Sequence, residues 1–148
     1  MRSKKSSRSG PMISVMILLV LFILLLGYVI FSRVMEYYSQ LDPMLRHIQV
    51  KLEPLDAKVK TLKFYEGNKS YTINKKKIYL CLRDENNQYY NENMLLYVAI
   101  HELAHVLCDE IGHTDKFHRI FQQLLYKAQK MEIYDASQPI VRNYCGHH

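Results

Sequence analysis

His101-Glu102-Leu103-Ala104-His105 sets two imidazoles four residues apart, with a carboxylate beside the first. On an α-helix, residues four apart lie on one face, a turn from each other. His101 and His105 can therefore address a single metal ion. Glu102 stands about 100° further round the helix, beside the ion and not on it. A carboxylate placed there can take a proton from a metal-activated water. Three fixed residues in five positions recur by chance, so the pattern needs a helix that can carry it.

The flanking residues supply one. At helical spacing Met94, Tyr97, His101, His105 and Cys108 share a face, while Leu96, Ala99, Leu103, Val106 and Leu107 lie opposite. An apolar back with histidines in front describes a core helix that lines a cleft. Asn91 is placed to cap its start, with Glu92 in the first turn, and Gly112 is expected to end the run.

Catalytic zinc usually takes three protein ligands and keeps one position for water. The segment Gly112-His113-Thr114-Asp115 offers the third. Gly112 permits a reversal, Thr114 can cap a second helix, and Asp115 suits its positive end. In that helix Phe117, Ile120, Phe121, Leu124 and Ala128 form the buried stripe. His113 projects near the stripe and His118 lies at its edge, so His113 is the better ligand. Cys108 is on the ligand face but too far along the helix. Asp109, Glu110 and His118 are the other candidates. A metzincin would carry glycine at position 108 and histidine at position 111, where this chain has Cys108 and Ile111.

With these residues the chain resembles the SprT-like and WLM-type zinc metallopeptidases, compact gluzincin-like members of the zincins. It looks closer still to small metallopeptidase-like proteins of large DNA viruses. The likeness rests on His101-Glu102-Leu103-Ala104-His105, on Gly112-His113 with Phe117, on the strand Ile78 to Arg83, and on a closing phrase with Tyr134-Asp135, Pro139 and Tyr144-Cys145-Gly146. It covers Val59 to Gly146. The resemblance implies one zinc ion on His101, His105 and His113, with Glu102 as general base. The linker from His105 to His113 is longer than in typical WLM proteins.

These elements must be held in place by the rest of the chain. Residues 1–11 are basic, with Arg2, Lys4, Lys5 and Arg8 among serines. Met12 to Phe31 then runs twenty residues without a charge, about the 30 Å of a bilayer's hydrocarbon core at 1.5 Å per residue. A cleavable signal has a shorter apolar core and a small-residue cleavage site. Here Tyr28, Phe31, Arg33 and Met35 follow instead, so residues 12–33 read as an uncleaved anchor. The basic excess before it puts residues 1–11 in the cytoplasm and the bulk of the chain across the membrane, a virion or host membrane. Four of the 20 basic residues precede the anchor, leaving 16 against 14 acidic ones. That near-neutral remainder gives no ground for a nucleic-acid partner.

Residues 34–57 read as a juxtamembrane stretch and support helix. Met35 to Gln40 suits the membrane interface, and Asp42-Pro43 is a strong helix start. Met44, Leu45, Ile48 and Leu52 follow at helical spacing. Residues 58–148 form the candidate peptidase domain. Its strands are expected at Thr61–Tyr65, Ser70–Ile73 and Ile78–Leu82, in a small antiparallel sheet with the lysines at 75–77 in a solvated hairpin. The last strand is expected to be the edge that pairs with an extended peptide. Residues 84–91 read as a loop over the site.

Tyr134 and Tyr144 are candidate oxyanion donors. Cys81 and Cys108 read as buried apolar positions. Three cysteines are too few for a disulfide framework and leave one unpaired. Cys145 with His147 and His148 could form a second metal site or a latch on the zinc.

The expected fold is α+β: a transmembrane helix, a support helix, a short antiparallel sheet, and two helices carrying the metal. The expected function is a membrane-anchored zinc endopeptidase acting on protein or peptide substrates. The alternative is a catalytically silent, zinc-binding structural protein of a membrane or virion. Nothing in the sequence speaks to oligomeric state.

Overall fold

The computed structural model describes residues 9–146. Most of the basic tail therefore lies outside the described residues, as do His147 and His148. The chain divides into two units, one ending at Tyr38 and the other starting at Ser39. The first unit is the helix α1, Ser9–Tyr38. Its stretch Met12–Tyr38 is long and apolar enough to cross a membrane, and none of it is buried inside the protein. Met35 to Tyr38, read from the sequence as interfacial chain, continue this helix.

The second unit mixes helices with one small sheet. Its first helix, α2, runs Pro43–Leu52. Asp42 caps it by accepting from the Met44 amide at 2.8 Å, and Pro43 fills the first turn as expected. Leu45, Ile48 and Leu52 are buried. Each such burial contributes about 1.5–3 kcal/mol before entropy is counted. The helix packs on both the sheet and the metal-site helix, so it belongs to the compact unit. A 3-10 turn at Ala57–Thr61 follows, where the sequence suggested the start of a strand. Gln49 fastens it by donating to the carbonyls of Val59 and Leu62.

Three strands follow: β1 (Lys63–Glu66), β2 (Tyr71–Ile73) and β3 (Lys77–Leu80). Their order is β1-β3-β2. Two expectations change here. The sheet is mixed, since β1 pairs with β3 in parallel and only β2 is antiparallel to it. The last strand is therefore central, and β2 is the edge bordering the candidate site. The physical reason lies in β3 itself. Ile78 and Leu80 are fully buried, whereas Tyr71 and Ile73 of β2 remain exposed. A strand with such a buried face gains most from neighbours on both sides.

The metal-site helix α3 spans Glu92–Leu107 and the last helix α4 spans Asp115–Lys130. Asn91 and Thr114 cap them, each side chain accepting from a first-turn amide. α3 ends at Leu107, earlier than Gly112, because the backbone of Cys108 is already extended. Lys58 and Lys75 donate to the carbonyls of Val106 and Cys108, satisfying groups that a helix C-terminus leaves open. The lysines at 75–77 do lie at the turn of the β2–β3 hairpin, and Lys75 within it also caps α3. Gly112 instead shapes the loop between the helices, at φ +84°.

Cys81 and Cys145 form a disulfide across 64 residues of sequence, and Cys108 is the free, buried thiol. Cys145 is therefore not available as a metal-binding thiolate. A cross-link closing a loop of this size contributes on the order of 2–4 kcal/mol. It pins the C-terminal segment to the end of β3. The pairing was not legible because Cys81 and Cys145 meet only once the sheet and tail have docked.

Candidate metal centre

α3 is buried nearly all round, not on its back alone, because the sheet, α2 and α4 all pack against it. His101 and His105 are among its few residues that reach solvent. His113, in the loop before α4, swings back over them. Its Nε2 lies 3.0 Å from His101 Nε2 and 3.1 Å from His105 Nε2. Three ring nitrogens converge on one point, a grouping that could hold a metal ion.

The donor set fits zinc. Tetrahedral zinc with nitrogens at about 2.0–2.1 Å holds its ligand atoms about 3.3 Å apart, close to the spacing here. The two helix histidines are also held toward the neutral form. Burial pushes His101 down to about 4, helped by the charges of His105, His113 and His118. His105 is lowered as well, by burial and then by His113. Neutral imidazoles present lone pairs to a cation, as metal binding requires.

Phe117 is fully buried beneath these rings. It stacks on His105 at 4.2 Å between centroids and meets His101 and His113 edge-on at 5.0 and 4.8 Å. The sequence marked Phe117 as a core residue. Its second role, as a floor that sets the ring orientations, depends on α4 crossing over α3.

The competing ligands fall away on geometry. Cys108 is wholly buried, and Asp109 is engaged by Lys116 at 2.6 Å. Glu110 borders the cleft without joining the cluster. The His118 ring lies 6.2 Å from that of His113 and stays outside the group.

Glu102 is 5% exposed, a carboxyl in an apolar setting. Burial raises its pKa to about 7, partly offset by a hydrogen bond from Thr72. The Thr72 hydroxyl lies 2.9 Å from the Glu102 carboxylate and 3.2 Å from the Glu102 carbonyl oxygen. Thr72 sits on β2 facing α3, so the edge strand holds the carboxylate that the helix presents. Sequence reasoning missed this residue. Its only signal was a polar side chain between two larger ones, Tyr71 and Ile73, in a short strand.

The cleft around this cluster measures about 450 Å³ and is bordered by Ser70 to Thr72, Asn74, Lys75 and the loop 110–113. Two larger cavities, of about 530 and 740 Å³, contain none of the three histidines. We assign the site to the smaller cleft because the convergent ligands and the buried carboxyl are there. Tyr134 borders the 530 Å³ cavity, its ring 5.9 Å from that of Tyr97. Tyr144 is buried, donates to the carbonyl of Cys81, and lies 3.0 Å from the Ser70 hydroxyl. Neither tyrosine lines the histidine cleft, so their placement gives no support to an oxyanion role. Likewise, residues 84–87 border the 740 Å³ cavity and not the site.

No protein-family model matches the chain. An uncharacterized protein of Invertebrate iridescent virus 6, 136R, is 52% identical over 87 residues, covering 57% of this chain and 49% of its own length. Protein 042R of Invertebrate iridescent virus 3 is 52% identical over 98 residues, covering 64% and 62%. Protein R325 of Acanthamoeba polyphaga mimivirus is 38% identical over 90 residues, covering 56% and 46%. This chain thus spans about half to three fifths of the length of these curated relatives. Among solved structures, Wss1 from Saccharomyces cerevisiae shares the fold at a TM-score of 0.54 and 21% identity, covering 60% of this chain and 77% of Wss1. A Wss1 mutant gives 0.51 and 19%, covering 62% and 82%.

Proposed function

We infer that the protein is a membrane-anchored zinc endopeptidase, with its catalytic unit across the membrane from the N-terminus. The observation that carries this reading is the convergence of three histidine Nε2 atoms beside a buried, hydrogen-bonded Glu102. The fold shared with Wss1 agrees with the resemblance to WLM-type metallopeptidases in the sequence. The helix Met12–Tyr38 supports the anchor.

His101, His105 and His113 would hold the zinc. When bound, zinc lowers the pKa of water toward about 7 and polarises a carbonyl. Glu102, beside the ligands, takes the proton from the attacking water and delivers it to the leaving amine. Its burial and the hydrogen bond from Thr72 hold the carboxylate in one place beside the ligands. β2, the exposed edge of the sheet, offers backbone groups to an extended peptide along the cleft. A silent structural zinc site would have no use for a base held in this way.

Peptide-library cleavage by the purified full chain in detergent tests the reading. Cleavage should vanish on chelation and return with zinc. Cleavage indifferent to chelation, or absent from a zinc-loaded chain, would argue against it.

Thr72 acts as a positioning residue for the base. Thr72→Val keeps the strand-favouring branched shape and removes the hydroxyl. A hydrogen bond to a charged group contributes about 1.5–3 kcal/mol, so kcat should fall on the order of 10–100-fold, with KM and zinc content near those of the parent. Thr72→Ser should recover most of the loss. Unchanged kcat in the valine variant would mean that Glu102 needs no such support.

A further inference from the structure

We propose that Asn68 is a site of N-linked glycosylation, a proposal that rests on the reading that the compact unit lies across the membrane from the N-terminus. Asn68-Lys69-Ser70 is an Asn-x-Ser acceptor sequence, and no other Asn-x-Ser or Asn-x-Thr occurs in the chain. It falls in the turn between β1 and β2, where Asn68 and Lys69 are both exposed. The turn is tight. A Cβ on Gly67 would sit 3.2 Å from the Lys69 carbonyl oxygen. Asn68 borders the open 740 Å³ cavity, which leaves room for the first sugars beside the polar loop that holds Asn86 and Asn87.

The compartment is argued from a second, independent feature. The Cys81–Cys145 disulfide lies in the same unit, and such bonds persist where the surroundings are oxidising. That is the compartment in which oligosaccharide is transferred to asparagine.

The contacts of Ser70 bear on when transfer occurs. In the finished fold the Ser70 hydroxyl accepts from the Cys81 amide at 3.0 Å and lies 3.0 Å from the Tyr144 hydroxyl. Tyr144 is held there by the neighbouring disulfide, and its ring packs on Tyr90. The Cys81 contact forms with the β2–β3 hairpin and the Tyr144 contact only when the C-terminal segment docks, so the acceptor serine is least engaged while the chain is emerging. Modification therefore takes place during synthesis. The donor is a lipid-linked oligosaccharide. A bond forms between Asn68 Nδ2 and the sugar's anomeric carbon, and that carbon's bond to the donor phosphate breaks. The amide proton passes to a base of the transferase, and the lipid diphosphate departs.

Translation of the full chain with microsomes of a eukaryotic cell tests this, with protease added outside the sealed vesicles. The expected product is protected from protease and migrates more slowly by one glycan. Peptide N-glycosidase should remove that shift, Asn68→Gln should abolish it, and Ser70→Thr should retain it. The purified, folded, unglycosylated chain should acquire no glycan when given transferase and donor. A protected domain with no shift would overturn the assignment of Asn68 while leaving the orientation intact. A digested, unshifted domain would overturn the orientation and, with it, the glycosylation.

Discussion

Glu102→Gln leaves zinc bound and lowers peptide hydrolysis on the order of 10²–10⁴-fold, the contribution of a positioned general base. The substitution preserves shape and keeps a partner for the Thr72 hydroxyl, which lies 2.9 Å from the carboxylate. It removes the group that exchanges a proton. KM should change little, because the loss falls on the chemical step. The variant should also be no less stable than the parent, since a buried carboxyl is replaced by a neutral amide at a site of 5% exposure. Zinc loss comparable to that of a histidine variant would instead make Glu102 part of the metal-holding structure.

His113→Ala produces the second large effect, on metal affinity. Loss of an outer-shell partner costs about 10–100-fold in affinity, so loss of a direct ligand should cost at least that much. The fold should survive. His113 is an exposed loop residue, and Phe117 and Phe121 continue to anchor α4. His118→Ala serves as the comparison. Its ring stands 6.2 Å from His113 and outside the cluster, so zinc affinity should stay near the parent value. Titration of each variant with a competing chelator reads both outcomes. Equal weakening by the two changes would place the third ligand on His118 or divide it between them.

The sequence disclosed what depends on neighbours in the chain. The caps Asp42, Asn91 and Thr114 stand where they were expected, because capping involves residues two or three positions apart. The His101–His105 pair was legible for the same reason. His113 could be singled out because a single glycine precedes it and a single buried stripe follows.

Features that join distant segments were not legible. β3 lies between β1 and β2 because of a parallel pairing that no local pattern encodes. The hold of Thr72 on Glu102 spans thirty positions, and that of Lys75 on the end of α3 spans thirty-three. Cys81 read as an apolar core position, and it is buried, but its bond to Cys145 needed the docked tail. The loop at residues 84–91 was misplaced for a related reason. Arg83 bonds to Asp42, Glu66 and Tyr89 and draws that region toward the start of α2, away from the histidines.

The central claim is that His101, His105 and His113 form one zinc site. Elemental analysis of the purified full chain, beside the His101→Ala/His105→Ala double variant, tests it most directly. The account predicts about one zinc ion per parent chain, in line with the three-ligand sites of catalytic zinc, and none in the double variant. A folded parent that binds no zinc when supplied with it, or a double variant that keeps its ion, would contradict the account.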